Sequence, residues 1–201
     1  MTGSGAATFE VLVPRALLAA RTTELGGELA RRYARSAKPP VLVGALKGSV
    51  MFLADLVRAT SVDCSVDFIS ISSYPGRGVH SGVVRIEKDL ETDVTDRDVL
   101  IVEDIVDTGL TLNYLRRTIG ERRPRSLTAV TLLDKAARRI VPVALEHRAF
   151  TIPDVFVVGY GLDYMGRYRN VPDVVAVRDI ARLAADPDLL VEPLFAPSEA
   201  F

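Results

Sequence analysis

The sequence predicts one α/β domain in which helices flank a parallel β-sheet. Three observations lead to this prediction: the length of 201 residues, a composition of 48% hydrophobic and 25% charged residues, and an alternation of short Val-, Ile- and Leu-rich runs with helical patterns. A chain of this length buries a sizeable core, and this composition is that of an ordinary globular domain. Short continuous apolar runs are typical of strands buried on both faces, and a β-α-β-α order gives parallel strands with right-handed crossovers.

The elements follow from local patterns. Pro14 suits a first helical position, so we predict a helix at 14–35, which Gly26-Gly27 weakens and Pro39-Pro40 ends. The other elements are strand 41–43, helix 50–59, strand 64–72, a glycine-rich loop at 73–84, strand 98–102, helix 110–121, strands 126–133, 155–158 and 174–177, and a short helix near 178–184.

The composition argues against several classes of protein. Lys and Arg number 25 and Asp and Glu 26, and this net charge of −1 does not favour a nucleic-acid surface. No apolar run approaches the roughly 18 residues of a membrane span, and residues 1–8 lack the basic start of a secretory signal. The single cysteine, Cys64, fits a reducing compartment and is expected to be a buried strand thiol. We therefore expect a cytoplasmic enzyme with no nucleic-acid or membrane partner.

Other chemistries find little support in the sequence. No Walker lysine motif, Ser-His-Asp order or dinucleotide glycine fingerprint occurs. The histidines, His80 and His147, lack metal-ligand spacing and are expected at the surface. The pairs Arg122-Arg123 and Arg138-Arg139 are expected on solvated faces.

The segment 99–112 carries the clearest chemical signal. The strand predicted at 98–102 ends at two adjacent carboxylates, and a third precedes a turn and a helical pattern. Side chains at the carboxyl end of such a strand lie where open α/β sheets bind ligands, and a helix N-terminus favours an anion. Acids beside an anion site suit a phosphorylated sugar, whose hydroxyls need acceptors and whose phosphates carry Mg²⁺. The residues concerned are Glu103, Asp104, Asp107, Thr108, Gly109 and Thr111.

The segment at 103–111 resembles the phosphoribosyl-pyrophosphate loop of type I phosphoribosyltransferases. Three further segments match the hypoxanthine-guanine branch of that family: Leu46-Lys47-Gly48-Ser49, Leu133-Asp134-Lys135 and 156–164. The resemblance implies a type I phosphoribosyltransferase fold, with a core at about 35–160 and a small hood lobe built from the chain ends. It also implies purine salvage, in which the 5-phosphoribosyl group of phosphoribosyl pyrophosphate is transferred to N9 of hypoxanthine or guanine, giving IMP or GMP and pyrophosphate.

The resemblance assigns the phosphoribosyl group to residues 103–111. Glu103 and Asp104 accept hydrogen bonds from the ribose hydroxyls, directly or through Mg²⁺, and Asp107 accepts the proton from N7 of the purine. The 5′-phosphate lies on the backbone of Asp107, Thr108, Gly109, Leu110 and Thr111, where Leu110 replaces a lysine that some members carry. A role for Asp107 as a cap of the following helix stays open beside the catalytic one.

The resemblance assigns pyrophosphate to three other places. Lys47 and Gly48 match the family's first pyrophosphate loop, which implies a non-proline cis peptide bond at this step. Ser73 and Tyr74 match the start of a mobile loop that closes over pyrophosphate and excludes water. Arg169 supplies a bidentate guanidinium fork.

The purine is assigned to four residues. Lys135 donates to the carbonyl at C6 and so selects a 6-oxopurine over adenine, unless it is a solvated lysine at a strand end. Phe156 stacks on the base, unless it is a core residue, and the backbone of Val157 reads the base. Asp163 matches a Mg²⁺ ligand, beside Glu103 and Asp104, and its carbonyl is placed to meet the amino group of guanine.

Two alternative functions stay open at this level. Xanthine differs from hypoxanthine and guanine at C2 alone, so a xanthine-preferring phosphoribosyltransferase fits the same motifs. A non-catalytic regulator that senses phosphoribosyl pyrophosphate on the same fold is the second alternative. The resemblance further implies a homodimer or homotetramer.

Overall fold

The computed structural model describes residues 8–73 and 84–195. The strands are β1 (Phe9–Val13), β2 (Val41–Ala45), β3 (Ser65–Ser73), β4 (Val84–Lys88), β5 (Asp98–Val106), β6 (Ser126–Asp134), β7 (His147–Thr151), β8 (Phe156–Val158) and β9 (Val174–Val177). The helices are α1 (Arg15–Tyr33), α2 (Val50–Ala59), α3 (Leu110–Gly120), α4 (Ile180–Ala185) and α5 (Val191–Phe195), with a 3₁₀ turn at Ala136–Arg138.

Six strands form the main sheet, in the order β4-β3-β2-β5-β6-β7. All neighbours are parallel except β3 and β4, which form an antiparallel pair at one edge. The predicted parallel α/β sheet is therefore confirmed. Because parallel strands share a direction, the carboxyl ends of β2, β5 and β6 meet at the same end of the sheet.

Alternate residues of the central strands face opposite layers of helices. Leu42 and Leu100 pack with α1 and α2, whereas Val43 and Ile101 pack with α3 on the other face. Strands covered on both faces need apolar side chains at every position, which explains the continuous apolar runs of the sequence.

Helix α1 is continuous, although the two central glycines are poor helix formers. Gly26 lies against the end of α2, where a Cβ atom would come within 2.6 Å of the backbone carbon of Ala59. Packing between the two helices therefore compensates for the low helix propensity of glycine.

A second sheet, called here the hood sheet, has the antiparallel order β1-β9-β8. Phe9 pairs with Val177, so strands from both ends of the chain meet in it. Leu183 of α4 packs beneath this sheet with Val175 and Val177. A hydrogen bond of 2.6 Å from the backbone N–H of Arg15 to Asp173 joins the hood sheet to the start of α1.

Three expectations about strands are wrong. Strand β5 extends to Val106 because β6 continues beside it, so Glu103 and Asp104 lie within the strand rather than after it. Strands β1, β4 and β7 were not predicted; all three lie at sheet edges, where polar residues interrupt the apolar pattern. Cys64 precedes β3 and is only partly buried.

Two expectations about surface residues are also wrong. His147 begins β7 with 17% of its side chain exposed, and its Nδ1 lies 3.2 Å from Glu28. Arg139 is similarly covered because it pairs with the buried Asp134. His80 lies outside the described residues. No helix in the two described ranges combines the length and apolarity of a membrane span.

Candidate active site

An open cleft of about 300 Å³ lies at the carboxyl end of the main sheet. Its walls are the end of β2, the second half of β5 and the loop into α3. A cleft of this size at the carboxyl ends of parallel strands is where α/β sheets bind small ligands. Six of the predicted phosphoribosyl residues line it: Glu103, Asp104, Asp107, Thr108, Gly109 and Thr111. Leu110, the seventh, is 49% exposed.

Glu103 and Asp104 form the acidic side of the cleft. Burial raises the pKa of Glu103 above its usual value, and the charge of Asp104 adds to this effect. Burial likewise raises the pKa of Asp104, to about 6. Glu103 Oε1 is buried without a hydrogen-bond partner among the described residues. The buried Glu103 and the partly buried Asp104 favour a ligand that brings donors or positive charge.

The loop into α3 forms the opposite side of the cleft. Gly109 is the N-cap residue of α3, and the hydroxyl of Thr108, not the carboxylate of Asp107, accepts a hydrogen bond from the backbone N–H of Leu110 at 3.4 Å. The helix-capping alternative for Asp107 is therefore wrong. The first N–H groups of α3 have no intrahelical acceptor, which leaves donors for an anion at the helix N-terminus.

Two glycines bring three parts of the site into direct contact. A Cβ atom on Gly48 would overlap the carboxylate of Asp104, and a Cβ atom on Gly161 would overlap the carbonyl oxygen of Gly48. Gly161 also has a φ of +102°, a backbone angle that residues with a side chain rarely adopt. The loop at 46–49 is thus packed between β5 and the 159–163 segment.

Three of the five pyrophosphate candidates lie at this contact: Lys47, Gly48 and Arg169. The cis peptide bond joins Leu46 to Lys47, one bond earlier than expected, and Lys47 is exposed. Arg169 donates to the carbonyl of Gly161 at 2.6 Å and pairs with Asp163 at 2.7 Å. Ser73 is the last residue of β3. Tyr74 and most of the 73–84 loop lie outside the described residues.

Of the purine candidates, Lys135 is joined to the wall of the cleft through Val106. Lys135 follows β6, is 6% exposed, and donates its backbone N–H to Val106 at 3.0 Å. It is therefore not a solvated lysine. Phe156 is half-buried in β8 and makes an edge-to-face contact with Tyr164, with ring centroids 5.9 Å apart. Val157 is buried.

Two residues that sequence reasoning missed connect Asp107 to Lys135. Arg138 Nε lies 3.2 Å from Asp107 Oδ1, and Arg138 Nη1 lies 3.5 Å from Asp154 Oδ1. The same oxygen of Asp154 is 4.0 Å from Lys135 Nζ. Arg138 was expected on a solvated face; the only available signal was its position three residues after Lys135, on the turn that follows β6.

A magnesium ion fits the chemistry of the acids only if other groups complete its coordination. In the residues described, no three His, Cys, Asp or Glu side chains lie close enough to hold a metal. Asp163 accepts from Gly166 and pairs with Arg169, at 2.7 Å in each case. Mg²⁺ is commonly held by one or two carboxylates together with phosphate oxygens and water, so the orphaned oxygen of Glu103 and the adjacent Asp104 fit such a site.

Comparison with known proteins leads to one family. A model of the phosphoribosyl transferase domain matches residues 18–165. The hypoxanthine phosphoribosyltransferase of Salmonella typhimurium is 50% identical over 167 residues, which are 83% of this chain and 94% of that protein. The hypoxanthine-guanine phosphoribosyltransferase of Streptococcus pneumoniae is 44% identical over 170 residues, 85% of this chain and 93% of that protein.

A solved structure agrees with these relatives. The hypoxanthine phosphoribosyl transferase of Trypanosoma cruzi superposes with a TM-score of 0.82 at 40% identity, covering 89% of this chain and 95% of that one. The resemblance seen in the four motifs is confirmed. The chain therefore belongs to the phosphoribosyltransferase family, in its hypoxanthine-guanine branch.

Proposed function

We propose that this chain transfers the 5-phosphoribosyl group of phosphoribosyl pyrophosphate to N9 of hypoxanthine or guanine and releases pyrophosphate. The observation that carries the proposal is the cleft in which the buried Glu103 and the partly buried Asp104 lie opposite the N-terminus of α3. One side suits hydroxyl groups and the other suits a phosphate. A sugar phosphate presents both groups on one molecule.

In the proposed complex, Glu103 and Asp104 accept hydrogen bonds from the ribose hydroxyls. Backbone N–H groups of residues 107–111 hold the 5′-phosphate. Leu110 adds no charge, so the backbone and the helix dipole do this work alone. Fixing the sugar at both ends places its anomeric carbon before the base, which lowers the entropic part of the barrier.

The proposed pyrophosphate site is the contact between the two loops. Gly48 offers its backbone N–H, and Lys47 and Arg169 offer positive charge to the leaving group. Arg169 is held by Gly161 and Asp163 before any ligand binds, so its guanidinium is already oriented. Mg²⁺ held by Glu103 and Asp104 would supply charge that neutralises the departing pyrophosphate.

The base is proposed to lie between Asp107, Lys135 and Phe156. Asp107 accepts the N7 proton as N9 bonds to the sugar, because the base becomes more acidic during that step. The ammonium group of Lys135 donates to O6, and an amino group at that position would offer it no acceptor. Phe156 stacks on the ring and Val157 contacts it through the backbone.

Product analysis tests the proposal. Purified protein incubated with phosphoribosyl pyrophosphate, Mg²⁺ and an equimolar mixture of hypoxanthine, guanine, xanthine and adenine is expected to form IMP and GMP. Asp107→Asn should lower kcat about 10²- to 10⁴-fold, the usual contribution of a general base. Asp188→Asn, at a side chain that is 74% exposed, is the matched control. Adenine as the best substrate, or an Asp107→Asn variant with unchanged turnover, would contradict the proposal.

The location and assembly of the protein are proposed separately. A single cysteine fits the cytoplasm, where thiols stay reduced. We propose a homodimer or homotetramer, and the relative from Trypanosoma cruzi was studied for the effect of its C-terminal region on oligomeric state. Sedimentation velocity at micromolar concentration tests this, and a monomer there would contradict it.

A further inference from the structure

We propose that the Arg138–Asp154 ion pair imitates the N7 and O6 side of the purine, and that it competes with the base for Asp107 and Lys135. This inference rests on the proposed function, because it takes those two residues as the contacts of N7 and O6. It adds Arg138 and Asp154 as residues that set the affinity for the base.

Four charged side chains form a continuous series. Asp107, Arg138, Asp154 and Lys135 follow one another at 3.2, 3.5 and 4.0 Å. Among the ion pairs of the described residues, Arg138 is the only partner of Asp107 and Asp154 is the only partner of Lys135. Asp107 and Lys135, the two residues proposed to contact the base, are therefore each paired with one member of the Arg138–Asp154 pair.

The pair presents the same chemical pattern as a 6-oxopurine. A base about to react presents a donor, N7–H, beside an acceptor, O6. Arg138 places its guanidinium 3.2 Å from Asp107 as an ion pair, and Asp154 places a carboxylate 4.0 Å from the ammonium of Lys135. Adenine, with an amino group at C6, does not reproduce this pattern.

Burial explains why the positions need a substitute when no base is bound. Lys135 is 6% exposed, and Asp107 Oδ1 is buried with no hydrogen bond. Unpaired charges at such positions are unfavourable, so nearby opposite charges stabilise the site without a base.

The same pair is able to leave when a base enters. About half of each side chain is exposed, 48% for Arg138 and 54% for Asp154. They remain paired with each other on moving outward, so no isolated charge is left behind. A base must displace them from Asp107 and Lys135, which weakens its apparent affinity by the stability of the contacts that it breaks.

Kinetics of single and double variants test the inference. Arg138→Gln and Asp154→Asn are each expected to lower KM for hypoxanthine about two- to fivefold, the range for an exposed ion pair. KM for phosphoribosyl pyrophosphate should stay unchanged. The double variant should resemble the stronger single variant, because the two residues act as one unit. Arg122→Gln is the matched control. Arg122 forms an ion pair with Asp89 at 2.6 Å, and neither residue lines the cleft.

The outcomes separate this inference from the proposed function. An unchanged or raised KM for hypoxanthine in both single variants would overturn the inference. This conclusion requires that thermal unfolding shows both variants to be folded and that Asp107→Asn is inactive. Additive effects in the double variant would also overturn the inference. If Asp107→Asn retained full turnover, the proposed function itself would fail instead.

Discussion

Glu103 and Asp104 lie side by side in β5, where burial opposes the ionisation of both carboxyl groups. The folded-state pKa of Asp104, about 6, lies above the value of about 3.9 for an unfolded aspartate. Ionised Asp104 therefore destabilises the fold at every pH above about 6, and this penalty disappears as pH falls below about 4. The site therefore keeps a charge whose burial is only partly offset by the backbone N–H of Ile105 and by the charge of Arg169.

We therefore predict that Asp104→Asn stabilises the folded protein and lowers its catalytic efficiency. In metal-free buffer at pH 7.5, the free energy of unfolding should rise by about 1–3 kcal/mol. The gain should vanish at pH 4, and kcat/KM for phosphoribosyl pyrophosphate should fall. Urea denaturation at the two pH values measures the first effect; an equal gain at both would show that the charge is not its source.

Lys135 gives a second prediction at the scale of one residue. Glutamine in its place offers both a donor and an acceptor, so it no longer rejects an amino group at C6. Lys135→Gln should lower the ratio of kcat/KM for hypoxanthine to that for adenine by about 10- to 100-fold. Lys38→Gln, at an exposed lysine, is the control. An unchanged ratio in a folded variant would remove Lys135 from purine selection.

Residues that lie in motifs could be predicted from the sequence, and residues that act across the fold could not. The candidate site residues of the segment at 103–111 are close together in the sequence, and the structure places this segment along the cleft. Arg138 and Asp154 are 16 residues apart, and each looks like an ordinary surface charge in the sequence. Their relation to Asp107 appears only when β6 brings the following turn beside the end of β5.

At the scale of elements, the contact between the 46–49 loop and the 159–163 segment leaves no space for an added side chain. Gly161→Ala adds a Cβ atom that overlaps the carbonyl of Gly48, at a φ of +102°. We expect a loss of stability of about 1–3 kcal/mol and a rise of at least about tenfold in KM for phosphoribosyl pyrophosphate. Thermal unfolding and steady-state kinetics measure the two effects.

Gly166→Ala is the matched control for that variant. Its φ is +81°, yet nothing lies within 4 Å of the added Cβ atom. The strain of a positive φ should therefore lower the stability by about 1 kcal/mol without displacing the loop at 46–49. Equal changes in KM for the two variants would mean that backbone strain, and not the overlap with Gly48, causes the defect.

Strands in the middle of a sheet were predictable because burial on both faces requires a continuous run of apolar residues. β2, β5, β6 and β9 are of this kind. β1 and β7 were missed because a strand at an edge keeps polar residues and short length. The end of β5 was misjudged because pairing with β6, rather than apolar character, carries the strand past its acids.

At the scale of the whole molecule, stability and chemistry are concentrated at opposite ends of the main sheet. Asp98 begins β5, far along the strand from Glu103, and receives hydrogen bonds from Arg125, Ser126 and Ser36. Hydrogen bonding to Arg125 is the largest cause that lowers the pKa of Asp98, to about 2. This cluster ties the ends of α1, β5 and β6 together without touching the cleft.

The position of Asp98 predicts a stability defect without a kinetic one. Its folded-state pKa lies below the unfolded value of about 3.9, so the carboxylate stabilises the fold above about pH 4 and loses this effect as pH falls towards 2. Asp98→Asn should lower the free energy of unfolding by about 1–2 kcal/mol at pH 7, and the deficit should narrow from pH 5 to pH 3. Both KM values should match those of the unaltered protein. A deficit that is constant with pH would contradict this assignment.

The hood sheet also has a consequence for how the protein is made. A ribosome releases the residues of β1 first, but their pairing partner, β9, emerges more than 160 residues later, as the register of Phe9 with Val177 requires. Until then β1 has no neighbour in its sheet, whereas the central strands are free to assemble. Nascent chains halted before β9 should therefore contain a formed central sheet and an incomplete hood sheet.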